Sequence, residues 1–264
     1  MQPEHVLIIG GFSLVVGLIC LFFYNKNKKL LLEMWAVDTY SAKDLRRLVK
    51  GGFEATVEVQ GMVFCENPLV SLAANIPCCN YHTSVAREDR RTRTVTSGSG
   101  SSRRTRTETY YVWVEEMDEK KSTLFKVRDK TGDTFVDPSR ASIDMETVAD
   151  EIIRHKEPWF EQSVRNSDTG KYRIREAVFK PGGFVYVLGQ ASVNSEGKAQ
   201  IRYPKKGYMD PKKKFFIISR KGEKELIQKK QRVGRVLGSM SAVFFLVVLY
   251  SLLAYFGIAP GLSK

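Results

Sequence analysis

Cys78, Cys79 and His82 form a C-C-x-x-H motif, with Cys65 upstream; these residue types bind soft metals or act as nucleophiles. Both chemistries need side chains that converge. Neighbouring residues of a strand point to opposite faces, so Cys78 and Cys79 do not readily grip one ion, and buried thiols are expected instead. There is no CxxC pair, hence no zinc ribbon or thioredoxin-type site, and the thiols fit a reduced compartment. Asp133, Asp137 and Asp144 lack the spacing of a calcium loop. The glycines of "GGFVYVLGQ" lack the G-x-G-x-x-G spacing of a phosphate loop, and G-x-S-x-G does not occur. His82 and His155 belong to no recognisable Ser/His/Asp order. No catalytic residue, metal site or cofactor is expected.

A second constellation is physical rather than catalytic. The stretch "RRTRTVTSGSGSSRRTRTE", 90–108, carries Arg90, Arg91, Arg93, Arg103, Arg104 and Arg106. Arginine alternates with threonine on both sides of a Ser/Gly tip. Period two is the strand period and threonine is a strand former, so the stretch reads as a long hairpin arm with a flexible tip. Three uses are open to such an arm. Arginines keep an exposed edge from pairing with other chains. They also meet anionic lipid headgroups. Nucleic acid is the least favoured, because aromatic platforms are not interleaved with the arginines.

What positions the arm is a soluble segment between two apolar runs. Residues 6–24 and 236–256 are free of charge, and each is long enough as a helix to cross a bilayer core of ~30 Å. The first run lacks a basic leader, so it reads as an anchor rather than a signal peptide. Lys26, Lys28 and Lys29 follow it; Lys229, Lys230, Arg232 and Arg235 precede the second. Basic flanks stay on the cytoplasmic side, so the segment 26–235 is expected there and both termini outside. The net charge of +13 lies almost wholly in this segment, which points to anionic lipid as partner beside a protein still to be identified. Small residues at four-residue spacing, Ser13/Gly17 and Gly238/Ala242, are expected to let the two helices pack.

Within the soluble segment the apolar residues Leu31, Met34 and Trp35 continue a helix beyond the first run. "SAKDLRRLVKGG" reads as a short helix with Ser41 as N-cap and Gly51-Gly52 as stop. Phe53, Ala55, Val57 and Val59 then alternate as a strand, and "ENPLVSLAANIP" is a connection. Strands are expected around 80–90 and 109–117, on both sides of the Lys130–Asp133 turn, over 172–203 in three pieces, and at "FFIIS". Met145, Val148 and Ile152 place a short helix over 144–155, with His155 at its end. Glu223 opens the helix that enters the second apolar run. The sum is an α+β, β-rich domain with seven to nine strands, barrel- or sandwich-like.

The order of "VEVQGMVFCENPLVS", "IPCCNYHTSV", "LFKVRDKTGDTFVDPSRASID", "GGFVYVLGQASV" and "FFIISRKGEKELI" between two membrane helices resembles the GIDE (MULAN-type) domain. This beside-a-membrane domain was first noted in membrane E3 ubiquitin ligases of mitochondria and chloroplasts and has bacterial and archaeal relatives. The resemblance runs from about Leu45 to the C-terminus. It implies a β-rich domain next to a bilayer and a link to protein ubiquitination and organelle organisation. In the organelle ligases a RING follows the second helix and needs eight Cys/His ligands. Here eight residues follow Phe256 and none is Cys or His, so no RING is expected and no family catalytic residue is carried over. Two functions follow: a membrane-anchored, non-enzymatic sensor or scaffold, or an E3-like protein that needs a RING partner in trans.

Overall fold

A computed structural model of the chain describes residues 3–52, 55–98, 103–204 and 215–256. Phe53 and the arm tip 99–102 lie outside the described residues. The chain forms two compact units, Met1–Asp38 with Lys221–Lys264, and Thr39–Arg220.

The first unit is an antiparallel helix pair. α1 runs Pro3–Trp35 and the last helix, named α3 below, runs Glu223–Tyr255. Both contain spans long and apolar enough to cross a membrane, and most of their apolar side chains face outward. Small residues line the contact. A Cβ on Gly10 would stand 3.0 Å from the Ser251 Cβ, and one on Gly17 3.3 Å from the Phe244 Cβ. The Ser241 hydroxyl donates to the Gly17 carbonyl at 3.2 Å. Ser13 is also buried. Gly238 lies against Tyr24, but Ala242 is exposed; Ser241 takes the place in the contact that spacing gave to Ala242.

The second unit begins with α2, Ala42–Lys50. The Ser41 side chain accepts from the Asp44 N–H at 3.2 Å, the N-cap bond that starts the helix. Gly52, at φ 77°, lets the chain turn away after it. Ala42, Leu45 and Val49 are the buried face of α2.

Thirteen strands follow among the described residues: β1 Thr56–Phe64, β2 Leu69–Val70, β3 Pro77–Cys78, β4 Asn80–Ser97, β5 Arg104–Ser122, β6 Phe125–Asp129, β7 Gly132–Val136, β8 Ser142–Ile143, β9 Glu146–Ile153, β10 Tyr172–Phe179, β11 Phe184–Val193, β12 Ala199–Arg202 and β13 Ile217–Ser219. β1, β6, β7, β12 and β11 pair in that order, and β11 returns to β1, so five strands close a barrel. Val57, Val59, Val63, Phe125, Val127, Val136, Val185, Val187 and Ile201 alternate inward and fill it. Close approach is needed at Gly61, where an added Cβ would strike the Arg128 carbonyl.

A second sheet has the order β5-β4-β10-β9. Its core is Val85, Phe160, Val164, Tyr172 and Ile174. Here the sequence expectation needs correction: the short helix over 144–155 is strand β9, paired antiparallel with β10 from Tyr172↔Ile153 to Val178↔Glu146. Thr147, Val148, Ile152 and Ile153 are β-branched, and the pairing edge offered by β10 outweighs the weak helical spacing. The connection 66–77 also contains a small ladder, Leu69↔Cys78 and Val70↔Pro77.

On β10 a buried carboxylate organises a loop. Glu176 is buried and accepts the N–H groups of Ala73 and Ala74, both at 2.9 Å, and the Thr83 hydroxyl at 2.6 Å. Burial alone would raise its pKa, but these donors bring it below the ordinary value.

Candidate functional site

β4 and β5 pair over their whole length, from Asn80↔Ser122 to Ser97↔Arg104. Arg87 is the last β4 residue with a partner in β10, opposite Tyr172. Beyond it the two strands continue alone as the arm. A register shift between Val85 and Ala86 marks the departure, and a bulge of this kind bends and twists the outgoing ribbon.

The root of the arm is clamped. Glu116 accepts Arg165 Nη2 at 2.6 Å and Arg87 Nε at 3.0 Å. Those two guanidinium groups, Arg165 first, hold its carboxyl down at about 2. Arg87 also pairs with Asp89. The Ser167 hydroxyl donates to the Glu88 carbonyl at 2.6 Å, the Glu88 N–H to the Lys171 carbonyl at 3.0 Å, and the Arg90 N–H to Asp168 Oδ2 at 3.1 Å. The loop 165–171 thus ties the ribbon down as far as Arg90.

From Arg90 outward the register sorts the side chains, because residues directly opposite in a ladder share a face. One face carries Arg91 opposite Tyr110, Arg93 opposite Glu108, Val95 opposite Arg106 and Ser97 opposite Arg104. The other carries Arg90 opposite Tyr111, then three threonine pairs, Thr92/Thr109, Thr94/Thr107 and Thr96/Thr105. Four of the six arginines therefore share one face, while Arg90 stands on the threonine face; Arg103 precedes the ladder. Glu108 holds Arg93 at 3.0 Å and also Arg106. Among the described residues Arg90, Arg91, Arg103 and Arg104 have no carboxylate partner.

Sequence reasoning missed the aromatics. Tyr110, Tyr111 and Trp113 are all exposed at the root of the arm, and the Arg93 guanidinium lies over the Tyr110 ring at 5.8 Å from its centre. The signal was present in "TYYVWV", which reads only as strand-forming sequence until the register sets its tyrosines opposite Arg90 and Arg91.

The thiols lie elsewhere. Cys78 and Cys79 are fully buried and enter different clusters, Cys79 the barrel core and Cys78 a small group with Tyr81 and Val178. Burial pushes the Cys78 thiol up to about 11 and raises Cys79 as well. His82 pairs with Asp118 on the surface of the second sheet. His155, at the end of a strand rather than a helix, pairs with Glu157 at 2.8 Å. Asp133 pairs with Arg128 at 2.8 Å, and Asp137 accepts the Ser139 N–H at 3.0 Å. Among the described residues no cluster of three or more His, Cys, Asp or Glu is arranged to hold a metal ion.

A five-stranded barrel, an attached sheet and two apolar helices are thus strung in one chain. A family model described as "GIDE: E3 Ubiquitin ligase" matches residues 90–254, from the arm to the end of α3. The chain belongs to the GIDE family. The matched part of this GIDE chain takes in β6–β13 and α3, together with most of the arm. No curated protein and no solved structure matches the chain.

Proposed function

We propose that this GIDE protein is a membrane-anchored, non-enzymatic module whose arm engages anionic lipid headgroups and thereby reports on, or scaffolds at, a bilayer surface. The observation that carries the reading is the sorted arm: unpartnered arginines beside exposed Tyr110, Tyr111 and Trp113, on a ribbon clamped at its root. Guanidinium groups pair with phosphate in a forked geometry, and tyrosine and tryptophan settle at the level of headgroups. Each basic residue near an anionic surface contributes about 1 kcal/mol, so the four arginines without a carboxylate partner supply a few kcal/mol together. In this reading the two helices are membrane-spanning and the strand unit is cytoplasmic, as the basic flanks 26–29 and 229–235 favour.

The test uses the full chain in lipid nanodiscs. Amide hydrogen exchange in 90–97 and 104–111 is expected to be slower in discs containing phosphatidylglycerol than in pure phosphatidylcholine. The variant with all six arginines changed to Gln loses the difference. Equal exchange in both discs would sink the lipid reading; protection by added oligonucleotide instead would point to nucleic acid.

A second reading has the family match behind it: a subunit of a ubiquitin-type system with the RING supplied by another chain. It expects a RING-bearing partner to co-purify with the detergent-solubilised protein from its native membrane.

A further inference from the structure

The helix pair contains a groove that the arm reading does not use. Its volume is about 610 Å³, within the ~300–1,000 Å³ of ordinary ligand sites. Gly234 and Gly238 of α3 form its floor by having no side chains, and Tyr24, Leu31, Leu32 and Trp35 of α1 supply apolar walls. Trp35 and Leu32 are more than half exposed, at 57% and 52%, so the wall is open on one side. Lys28 and Arg235, one from each helix, supply its cations, and Asn27, Gln231 and Ser239 complete the lining. Asn27 Nδ2 donates to the Lys230 carbonyl at 2.7 Å and pins the helices together at this level.

Its place along the helices matters. The uncharged runs end at Tyr24 and begin again at Val236, so the groove straddles the change from apolar to basic sequence. Segments 24–35 and 228–240 hold seven basic residues and a single acidic one, Glu33. Tyr24 and Trp35 are the residue types that settle where hydrocarbon gives way to headgroups.

We infer that this groove is a binding site for one anionic phospholipid, with an acyl chain against Tyr24 and Gly238 at the end next to the uncharged runs and the phosphate between Lys28 and Arg235, while Leu31, Leu32 and Trp35 lie on the headgroup side. A cleft with Tyr24 and Gly238 next to the uncharged runs and two cations about one helical turn beyond them suits a molecule with that same division, and a basic pocket between membrane helices is a known form of headgroup site. A zwitterionic lipid fits the apolar part equally but gains less from the two cations. A third helix or a second copy would bury the apolar wall and leave Lys28 and Arg235 without a counter-charge.

The experiment uses the full chain with Trp35→Phe, Trp113→Phe, Trp159→Phe and Tyr24→Trp, which places the sole tryptophan at the acyl end of the groove. Reconstituted at fixed total lipid, it is quenched by brominated phosphatidylglycerol or brominated phosphatidylcholine at equal mole fraction. The proposal expects about tenfold preference for the anionic quencher, lost in the Lys28→Gln/Arg235→Gln variant. Equal quenching by both lipids means ordinary boundary contact and overturns it. So does absence of quenching together with a dimer in detergent, which would assign the groove to a second copy. Native mass spectrometry of the unaltered chain from mixed micelles provides an independent reading: retained phosphatidylglycerol supports the site, and its retention by the double Gln variant counts against it. Both measurements turn on the comparison with the Lys28→Gln/Arg235→Gln variant, in which the arm is unchanged, so failure here leaves the headgroup reading of the arm standing.

Discussion

Glu108 stands directly opposite Arg93 across the arm and accepts both Nε, at 3.2 Å, and Nη2, at 3.0 Å. The same carboxylate takes Arg106 through its other oxygen. One acidic side chain therefore holds two of the four cations on that face, and Arg93, then Arg106, draw its pKa below the ordinary value.

Glu108→Gln is expected to release both arginines and tighten binding to vesicles containing phosphatidylglycerol, with little change in melting temperature. Glu108 is half-buried under the two guanidinium groups but belongs to neither core, and surface substitutions of this kind shift stability by less than ~0.5 kcal/mol. Vesicle flotation against salt concentration reads the effect. Unchanged or weaker flotation of the variant would count against the arm as a lipid contact.

The root clamp has a pH signature. Glu116 sits near 2 in the folded chain against an ordinary 4.5, so it contributes stability above pH 4.5 that is lost as pH falls towards 2. Glu116→Gln should therefore melt lower than the unaltered protein at pH 7, and the gap should close on acidification through that window. Melting curves followed by tryptophan fluorescence would show it. A gap that persists at pH 2 would mean that the ion pairs with Arg165 and Arg87 are not its cause.

Glu176→Ala removes the acceptor for two backbone N–H groups and one hydroxyl. Hydrogen bonds to a charged group are worth about 1.5–3 kcal/mol each, and the loop 71–76 loses its anchor, so a loss on the order of 3 kcal/mol is expected. Denaturant unfolding measures it, with faster amide exchange at Ala73 and Ala74 as the local sign.

Gly61→Ala tests barrel closure. The added methyl meets the Arg128 carbonyl, which is backbone and cannot rotate aside. Overpacking of this kind costs about 1–3 kcal/mol, so the midpoint of denaturation should drop accordingly. A neutral substitution would show that β1 and β6 are farther apart than the structure has them.

In the helix pair, Gly10→Cys with Ser251→Cys in a Cys20→Ser background should crosslink readily under mild oxidation. Gly17→Leu should reduce the yield by prising the helices apart at Phe244. Crosslinking that succeeds only from exposed positions such as Phe12 and Ala242 would reverse the assigned faces.

The parts of this architecture that were legible in sequence are those fixed by local chemistry. Ser41, Gly51 and Gly52 punctuate α2, and the Arg/Thr alternation around a Ser/Gly tip draws the arm. What stayed hidden depends on partners far away in sequence. Nothing near Glu146–Ile153 announces that β10 is waiting as a partner, so weak helical spacing prevailed in the reading. Barrel closure needs β11 to return to β1 and β12 to run parallel to β7, and no local pattern encodes either. The sorting of arginines from threonines was half visible: alternation separates them along one strand, but only the register between strands decides which residues share a face. The same register moved Tyr110 and Tyr111 from strand formers to neighbours of Arg91 and Arg90. At the helix contact, Gly17 and Ser241 meet and Ala242 does not, and which residues of α3 face α1 depends on the rotation of α3, which spacing along one segment does not encode.

Thr39 bridges to Glu58 in β1, β1 pairs with β11, and β11 pairs with β13, the last strand before Arg220. Three strand spacings of ~4.8 Å put the two ends of the strand unit about 14 Å apart in one sheet. The folded unit thus holds its own first and last residues within a few strand widths of each other. Unfolded, the same unit would be a tether of 182 residues between α1 and α3, with the closure entropy of a long loop. Once folded it becomes a short clip, and each helix meets the other at a high effective concentration.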